Sequence, residues 1–393
     1  MVLRQPVAVN QLSVRRMGWR LLSFCRAITT TGTNSRGVGD DGGVTEPDAI
    51  VETAAWYARV AGEVDGLYAD WARGVAGDQG RADVDARAGA PSLLERIAGL
   101  PRPQRQPQLF FAVTRLVGAP ELPFVDWRGW VLTHWADVAA ASVSRTTQTN
   151  EPARSAALLP GLALLDGPLA LLEVGASAGL CLYPDRYSYR YSHPAIPAWI
   201  DASRPPRPRK SADPRADARL DPADGVSEVV LEATVEGGVP VPERMPDIRW
   251  RAGIDLAPLD VTNEADLAWL DVLVPPEQSE RRDRARAAAA IAASDPPLLV
   301  AGDAIDALPA LAAQAPTDAT LVILTVGTLV YLPFAERQRF ADAVHATGTH
   351  WLSLERSGLV ALAPATPSDS FVLGLDGTAL ATVSPHGDHV TWL

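Results

Sequence analysis

The chain has 393 residues, a hydrophobic content of 47% and a formal net charge of -12 at pH 7. Such values are typical of a folded globular protein, and the length allows one large domain or two ordinary ones. The acids and arginines alternate without forming a basic face, which argues against nucleic acid or an anionic membrane as the main partner.

The two cysteines, Cys25 and Cys181, are far apart and form no C-x-x-C pair. The sequence therefore predicts neither a disulfide framework nor a zinc site, and a reducing cytoplasm is the expected location. No window approaches the roughly 20 uninterrupted apolar residues of a membrane span.

Residues 1–45 are predicted to be a poorly ordered extension that ends in a run rich in glycine and aspartate. The pair Arg15 and Arg16 stands before an apolar stretch, as in a twin-arginine export signal. Arg20 and Arg26 interrupt that stretch, so an export signal is the minor alternative.

Residues 46–166 are predicted to be helical. Apolar residues recur there at steps of three and four, and Ser92 with Glu95 is spaced as a capping box. In the stripe that contains Trp127, Trp130 and His134, we expect the tryptophans to be core residues and the histidine to pack between helices.

Residues 167–393 have a different period. A short apolar run at 169–174 precedes a glycine-rich turn, and similar runs at 248–251, 298–301, 321–325 and 350–354 alternate with helical stretches. This alternation predicts an α/β domain with a Rossmann-like, doubly wound, mostly parallel sheet. The last runs, at 371–375, 378–383 and 389–392, lack intervening helices and predict an antiparallel end.

An insertion at about residues 187–245 separates the first two runs. Its segments 187–191 and 228–235 can pair as a ribbon. The stretch 203–224 is rich in proline, arginine and aspartate, and it is predicted to be a mobile loop that buries nothing.

The turn after the first strand reads Glu173-Val174-Gly175-Ala176-Ser177-Ala178-Gly179. In one interpretation it is a cofactor loop between a strand and a helix, with Glu173, Gly175, Ser177 and Gly179 at the ligand and backbone amides open to it. In the other it is a G-x-S-x-G nucleophile elbow, with Ser177 as a hydrolase nucleophile. A purely structural tight turn is a third possibility.

The surroundings of the turn favour the cofactor loop. A hydrolase elbow needs several strands before it, one of them followed by an oxyanion donor, and the preceding hundred or so residues are predicted to be helical. An acid two residues before the first glycine has no role in an elbow, whereas methyltransferase loops commonly have one.

Acidic residues also follow the later strands. Asp255, with Asp260 as the alternate, is the candidate ligand for the ribose hydroxyls of S-adenosylmethionine, and Asp303 is the candidate for its adenine amino group. For each of them the structural alternative is a helix N-cap that follows a strand.

A dense polar block lies just ahead of the first strand. We expect Gln148 or Arg154 to hold the carboxylate of the cofactor, and Asn150 or Glu151 to face the substrate. The alternative is a capped helix start at Asn150, with proline at the first helical position.

Further residues could complete the cleft. Asp185, Arg186 and Tyr187 follow the predicted cofactor helix, although a structural salt bridge explains them equally well. Glu151 and Tyr187 are the candidate general bases of methyl transfer, which depends mainly on in-line placement of the nucleophile. The segment His386-Gly387-Asp388-His389 is predicted to be a hairpin turn, and no metal site is predicted.

Three blocks of the sequence together resemble a known family. They are Gln148-Thr149-Asn150-Glu151 with Arg154 and Leu158-Leu159-Pro160, then residues 172–180 with Asp185-Arg186-Tyr187, then residues 251–260. They are similar to those of an uncharacterised, largely actinobacterial family, domain of unknown function 2332, and the likeness runs from about Trp56 to the C-terminus. Cys181 and Pro275 depart from its pattern, where asparagine and tryptophan are usual.

The family resembles class I S-adenosylmethionine-dependent methyltransferases in fold, but the resemblance implies no established activity. The sequence thus predicts a methyltransferase with S-adenosylmethionine as cofactor and an unknown small molecule as substrate; it gives no oligomeric state. One alternative is a serine hydrolase that uses Ser177 with Asp303 and His386. The other is a non-catalytic ligand-binding module of the same fold.

Overall fold

The computed structural model describes residues 46–78, 91–148, 150–194 and 217–393. The predicted extension at residues 1–45, with its twin-arginine stretch and Cys25, lies outside the described residues. The chain divides into two compact units, Met1–Arg145 and Thr146–Leu393. The polar block at 148–154, which sequence analysis assigned to the helical region, thus belongs to the second unit. Among the described residues, none of the helices has the length and apolar character needed to span a membrane.

The described part of the first unit is helical. Its helices are α1 (Glu46–Glu63), α2 (Gly66–Ala76), α3 (Leu93–Ala98), α4 (Pro107–Leu116), α5 (Phe124–Thr133) and α6 (Trp135–Val143), with a 3-10 turn at Arg102–Arg105. The capping box at Ser92 is confirmed, because the Ser92 side chain and the Glu95 side chain bond each other's backbone amide.

Aromatic side chains form the core of this unit. Trp71 and Trp127 are fully buried and stack with ring centroids 4.5 Å apart. His134 Nδ1 donates a hydrogen bond to the Trp130 carbonyl at 2.8 Å, and the imidazole stacks on the Trp130 indole. The prediction of a core residue is therefore confirmed for Trp127, whereas Trp130 is half-buried and His134 packs on the helix that it ends.

The described residues of the second unit form five helices and eleven strands. The helices are α7 (Ser155–Leu162), α8 (Glu264–Val272), α9 (Ser279–Ser294), α10 (Ala304–Ala312) and α11 (Phe334–Ala346). The strands are β1 (Leu169–Val174), β2 (Ser188–Ser192), β3 (Ala218–Leu220), β4 (Val230–Glu236), β5 (Ile248–Asp255), β6 (Leu298–Ala301), β7 (Thr320–Val326), β8 (His350–Arg356), β9 (Phe371–Leu375), β10 (Thr378–Val383) and β11 (His389–Trp392).

All eleven strands belong to one sheet, in the order β3-β2-β4-β11-β10-β9-β8-β7-β1-β5-β6. The neighbouring strands β6, β5, β1, β7 and β8 are parallel to one another, and β1 lies between β5 and β7. Strands β8 to β11 pair in antiparallel fashion, as the sequence predicted. The chain is thus a mixed α/β protein with a large, mostly parallel sheet.

The insertion extends this sheet. Strands β2 and β4, the two segments predicted to pair, are parallel to each other, and β4 in turn pairs with β11. Residues 195–216 lie outside the described residues. The predicted loop at 203–224 is wrong for Ala218–Leu220, because these residues form β3, where Leu220 is buried. A local polar composition gave no sign of this long-range pairing.

One face of the parallel strands is covered by α10 and α11. Leu172 and Val174 of β1, Ile323 of β7 and Trp351 of β8 pack there against Phe340 of α11. All six residues of β1 are buried. Burial on both faces explains the apolar residues at 169–172, and Glu173 is buried in the same strand.

Candidate functional site

The glycine-rich loop, residues 175–179, follows β1 at the carboxyl edge of the parallel strands. Gly175 and Gly179 have φ of +73° and +69°, and Ser177 has φ of +51°. A Cβ atom on Gly175 would overlap the side chain of Thr328, whose hydroxyl donates to the Val174 carbonyl at 3.0 Å. The first glycine is therefore required both by its backbone conformation and by the close approach of the loop that follows β7.

Two side chains anchor the middle of this loop. The Ser177 amide donates to Asp255 Oδ2 at 2.8 Å, and the Ala178 amide donates to Asn150 Oδ1 at 3.0 Å. Asn150 also donates through Nδ2 to the Ser177 hydroxyl. The loop is thus held from one side by β5 and from the other by the polar block ahead of β1.

The other amides of the loop are also bonded within the protein. Those of Gly175 and Ala176 donate to the Ile254 carbonyl at 2.8 and 3.1 Å, and that of Gly179 donates to the Ala176 carbonyl at 2.6 Å. The prediction that these amides open toward a ligand is wrong. Each of these amides already has a hydrogen-bond partner within the protein. A ligand would therefore contact the surface of the preformed loop and the side chains beside it.

The helix expected after the loop is also absent from this position. A single 3-10 turn, Leu180–Leu182, follows Gly179, and the chain then enters β2. The prediction of a cofactor helix that offers its N-terminal amides is therefore wrong, because one 3-10 turn has no substantial macrodipole.

The Ser177 hydroxyl lies in an environment unlike that of a hydrolase nucleophile. Ser177 is 1% exposed, and its hydroxyl accepts from Asn150. His386 lies instead beside Glu151, at 3.6 Å from Nδ1 to Oε2, and Asp303 caps α10. The contacts of the described residues thus do not assemble Ser177, His386 and Asp303 into one constellation.

Asp255 ends β5 beside the loop. Its Oδ1 accepts from the Ala257 amide at 2.9 Å, and the residue is half-buried. A carboxylate has about four lone-pair sites, so two protein amides leave room for the hydroxyls of a ligand. Gln148, predicted to hold the cofactor's carboxylate, donates to the Ala257 carbonyl at 2.9 Å. The alternate, Asp260, is exposed and accepts from the Thr262 amide at 2.8 Å.

Asp303 follows β6 and is the N-cap of α10. Its Oδ1 accepts from the amides of Ile305 and Asp306 at 2.8 and 3.4 Å. Asp303 thus makes the contacts of a helix N-cap, which was the structural alternative. A contact between Asp303 and adenine stays a prediction.

Arg154 is buried and makes contacts with backbone carbonyls. Its Nη1 donates to Val326 at 2.9 Å and its Nε to Pro385 at 3.1 Å, with the guanidinium 5.5 Å from the ring centroid of Phe371. It thereby joins the end of β7 to the turn between β10 and β11. That turn contains His386 and ends at His389, the first residue of β11. No metal-binding cluster of His, Cys, Asp and Glu occurs in the part of the chain that the structure describes.

Glu173 is the acid that precedes the glycines, and it is almost completely buried. Burial raises the pKa of its carboxyl well above the usual value, the neighbouring Asp255 raises it further, and Arg154 opposes both. Its Oε2 has no hydrogen-bond partner among the described residues. These surroundings favour the protonated form of the Glu173 carboxyl, which can donate a hydrogen bond.

Glu151, a predicted base, is buried in an ion-pair cluster. Burial would raise the pKa of its carboxyl, but Arg281, His386 and Arg284 hold it well below the usual range. Its oxygens lie 2.5 Å from Arg281 Nε and 3.2 Å from Arg284 Nη2. A carboxylate of such low basicity is a poor general base.

Tyr187, the other predicted base, is fully buried and donates its hydroxyl to the Leu180 carbonyl at 2.6 Å. Burial raises the pKa of this phenol well above its usual value, which disfavours the phenolate needed for a base. Asp185 is paired with Arg251 at 2.7 Å, and Arg186 lies 3.8 Å from the same carboxylate. The salt bridge that sequence analysis offered as the alternative is present.

Sequence analysis missed two groups near the loop. Glu355, near the end of β8, accepts from the amides of Thr328 and Leu329 at 2.9 and 3.2 Å. Burial raises the pKa of Glu355 to about 7. The second group consists of Arg281 and Arg284 on α9. The polar residues after β7 and at the end of β8 were a usable sequence signal for Glu355. The pairing of α9 with Glu151 joins residues 130 positions apart and left no local signal.

The model of one family, described as "Uncharacterized protein conserved in bacteria (DUF2332)", matches residues 52–392. Neither the curated proteins nor the solved structures gave a match to this chain.

Proposed function

The chain belongs to the uncharacterized bacterial family DUF2332, and for this member we propose S-adenosylmethionine-dependent methyl transfer to a small molecule at the carboxyl edge of the parallel strands. The observation that carries the proposal is the position of the glycine-rich loop. It leaves the sheet at β1, from which the parallel strands run outward to β5 and β6 on one side and to β7 and β8 on the other.

We interpret that arrangement as a Rossmann-like, doubly wound order. Taking β1, β5, β6, β7 and β8 as strands one to five, the sheet reads 3-2-1-4-5. In open α/β sheets of this kind, ligands bind outside the carboxyl ends of the strands where the order reverses, which here is between β1 and β7. The glycine-rich loop and Thr328 flank that point, and they contact each other there.

The side chains around this edge suit an adenosyl ligand. Asp255 stands at the end of the second strand, the position from which an acid reaches the ribose hydroxyls in nucleotide-binding folds of this order. Glu173, two residues before the loop, has a buried carboxyl oxygen without a hydrogen-bond partner among the described residues. Such an oxygen can bond a polar group of a bound ligand.

S-adenosylmethionine supplies a methyl group on a sulfonium, which is transferred in line to a nucleophile. The protein has only to position the two partners and exclude water, because proximity and orientation supply much of the acceleration. We assign this positioning to the glycine-rich loop, held by Asn150 and Asp255. Neither Glu151 nor Tyr187 has the protonation behaviour of a general base.

A calorimetric titration with S-adenosylhomocysteine and its 2′-deoxy analogue tests the proposal. We expect the wild-type protein to prefer the ribose form by about tenfold, the effect of one hydrogen bond to a charged group. Asp255→Asn should abolish this preference. Comparing two ligands within each variant cancels any general loosening of the loop, and Asp260→Asn is the control that should retain the preference.

Two outcomes would contradict methyl transfer. The first is that neither ligand binds to the wild-type protein. The second is that a fluorophosphonate probe labels the wild-type protein but not Ser177→Ala, which would favour the hydrolase. Binding without turnover on any acceptor would instead favour the non-catalytic module.

A further inference from the structure

Three cationic or hydrogen-bonding side chains converge on Glu151 from two separate segments. Arg281 and Arg284 come from the first turns of α9, and His386 comes from the turn between β10 and β11. Glu151 Oε2 lies 2.5 Å from Arg281 Nε and 3.6 Å from His386 Nδ1, and Oε1 lies 3.2 Å from Arg284 Nη2.

The charges in this cluster do not balance. Two guanidinium groups face one carboxylate, so the cluster keeps an excess of at least one positive charge. The Glu151 side chain is 1% exposed, whereas those of Arg281, Arg284 and His386 are 24%, 27% and 28% exposed. The negative charge is therefore on the inside, and the positive excess is at the accessible side.

Donor capacity also remains. An arginine has five N–H donors, and Arg284 Nε is buried without a hydrogen-bond partner among the described residues. One bidentate arginine would satisfy a buried carboxylate. The second guanidinium adds a positive charge that Glu151 does not neutralise, and this charge suits a second anion that approaches from the solvent.

The cluster adjoins the glycine-rich loop. Glu151 directly follows Asn150, which bonds Ser177 and Ala178. The backbone carbonyl of Glu151 lies 3.6 Å from the Cys181 thiol. An anionic group bound here would lie next to the proposed cofactor site, where a methyl acceptor has to be placed.

We propose that Arg281, Arg284 and His386 form an anion subsite that holds the carboxylate or phosphate group of the methyl acceptor. Glu151 is a positioning residue, which orients the two guanidinium groups from the buried side of the cluster. That the bound anion belongs to a methyl acceptor rests on the proposed function, whereas the anion subsite itself depends only on the cluster.

Titration calorimetry with succinate and with inorganic phosphate, at constant ionic strength, tests the subsite and distinguishes the two anion types. We expect one of them to bind the wild-type protein and to bind Arg281→Gln about tenfold more weakly. Arg286→Gln is the matched control, because Arg286 lies on the same helix but pairs with Asp271. His386→Ala leaves both arginines on Glu151 and should also weaken binding. Failure of both anions to bind, or an equal loss in Arg286→Gln, overturns the subsite.

Glu151→Gln gives a prediction of opposite sign. Glutamine keeps the shape of the side chain but removes the negative charge that opposes an incoming anion, so the affinity for that anion should rise. A cluster that only locks the fold would lose stability without a gain in affinity, and an unchanged or reduced affinity contradicts the subsite. S-adenosylhomocysteine is titrated into the same samples: if anions bind and it does not, the proposed function fails and the subsite stands.

Discussion

Glu355 is a buried carboxyl group that accepts from two backbone amides through one oxygen, and its other oxygen has no hydrogen-bond partner among the described residues. Burial raises its pKa from 4.5 to about 7, so the folded protein binds this proton more tightly than the unfolded chain. Stability from this group is therefore fully present below pH 4.5 and is lost as the pH rises through about 7. At about 1.4 kcal/mol per pH unit, the loss reaches about 3 kcal/mol.

We expect Glu355→Gln to remove this dependence, because glutamine is neutral at every pH and can still accept both amides. Urea unfolding at a series of pH values measures the free energy of unfolding of both proteins. The variant should gain about 3 kcal/mol relative to the wild type between pH 4.5 and 7. Glu232→Gln makes the same change at an exposed position and is the control. A difference between wild type and Glu355→Gln that does not vary with pH would contradict the assignment.

Asn150 connects the polar block to the glycine-rich loop through both ends of its side chain. Asn150→Ala leaves the Ala178 amide and the Ser177 hydroxyl buried without this partner, which costs about 2 kcal/mol or more. Since the loop is then less ordered, the affinity for S-adenosylhomocysteine should fall about tenfold.

Asn263→Ala is the matched control for this change. Asn263 accepts from two backbone amides as the exposed N-cap of α8. Its loss should cost about 1 kcal/mol and leave ligand binding unchanged. If both asparagine variants bind the ligand equally well, Asn150 has no special role at the loop.

At the scale of elements, the loops after β1 and β7 are fitted to each other at Gly175 and Thr328. Gly175→Ala incurs both the strain of a positive φ and the overlap with Thr328, whereas Gly238→Ala incurs only the first. Gly238 has φ of +77° with nothing within 4 Å of a Cβ. Strain at such a φ costs about 1–2 kcal/mol.

Thermal unfolding of the two variants should therefore show a larger loss of stability for Gly175→Ala. The double variant Gly175→Ala with Thr328→Ala should recover part of the difference, because the overlapping hydroxyl and methyl groups are gone. Equal losses in the two single variants would show that the loops do not fit as closely as the structure indicates.

The strands of the parallel run could be predicted from the sequence with nearly correct bounds. The run at 298–301 coincides with β6, and the run at 169–174 coincides with β1. Strands buried on both faces give continuous apolar runs, and this signal is local. Gly175 could be selected because it directly follows such a run, and Glu173 and Asp255 because they are acids at the ends of strands.

The features that could not be predicted depend on contacts between residues that are far apart in the sequence. The glycine-rich turn suggested a helix after β1, but the chain forms one 3-10 turn there, because the residues that follow pack as β2. The polar residues Asn150 and Glu151 resembled ligand contacts, yet one bonds the loop and the other bonds α9. Periodicity reports which face of an element is buried but does not identify its partner.

At the scale of the whole molecule, the junction between β4 and β11 determines whether the insertion is a separate ribbon or part of the main sheet. His389, Val390 and Thr391 pair in parallel with Thr234, Val235 and Glu236. The Thr234 amide donates to the Asp388 carbonyl at 2.9 Å across this junction. Strand β4 is therefore bonded on both sides, whereas β3 and β6 are the edges of the sheet.

Native-state hydrogen exchange followed by mass spectrometry tests this arrangement. We expect peptides that cover β4 to exchange as slowly as those from β10, because the amides of an interior strand are released only by unfolding on a large scale. Peptides from the edge strands β3 and β6 should exchange faster and serve as internal references. In a separate ribbon β4 would have a free edge, so fast exchange at Thr234 and Glu236 together with slow exchange in β10 would contradict the continuous sheet. Because the turn that contains His386 directly precedes β11, the same loss of pairing would also leave that histidine without a fixed position beside Glu151.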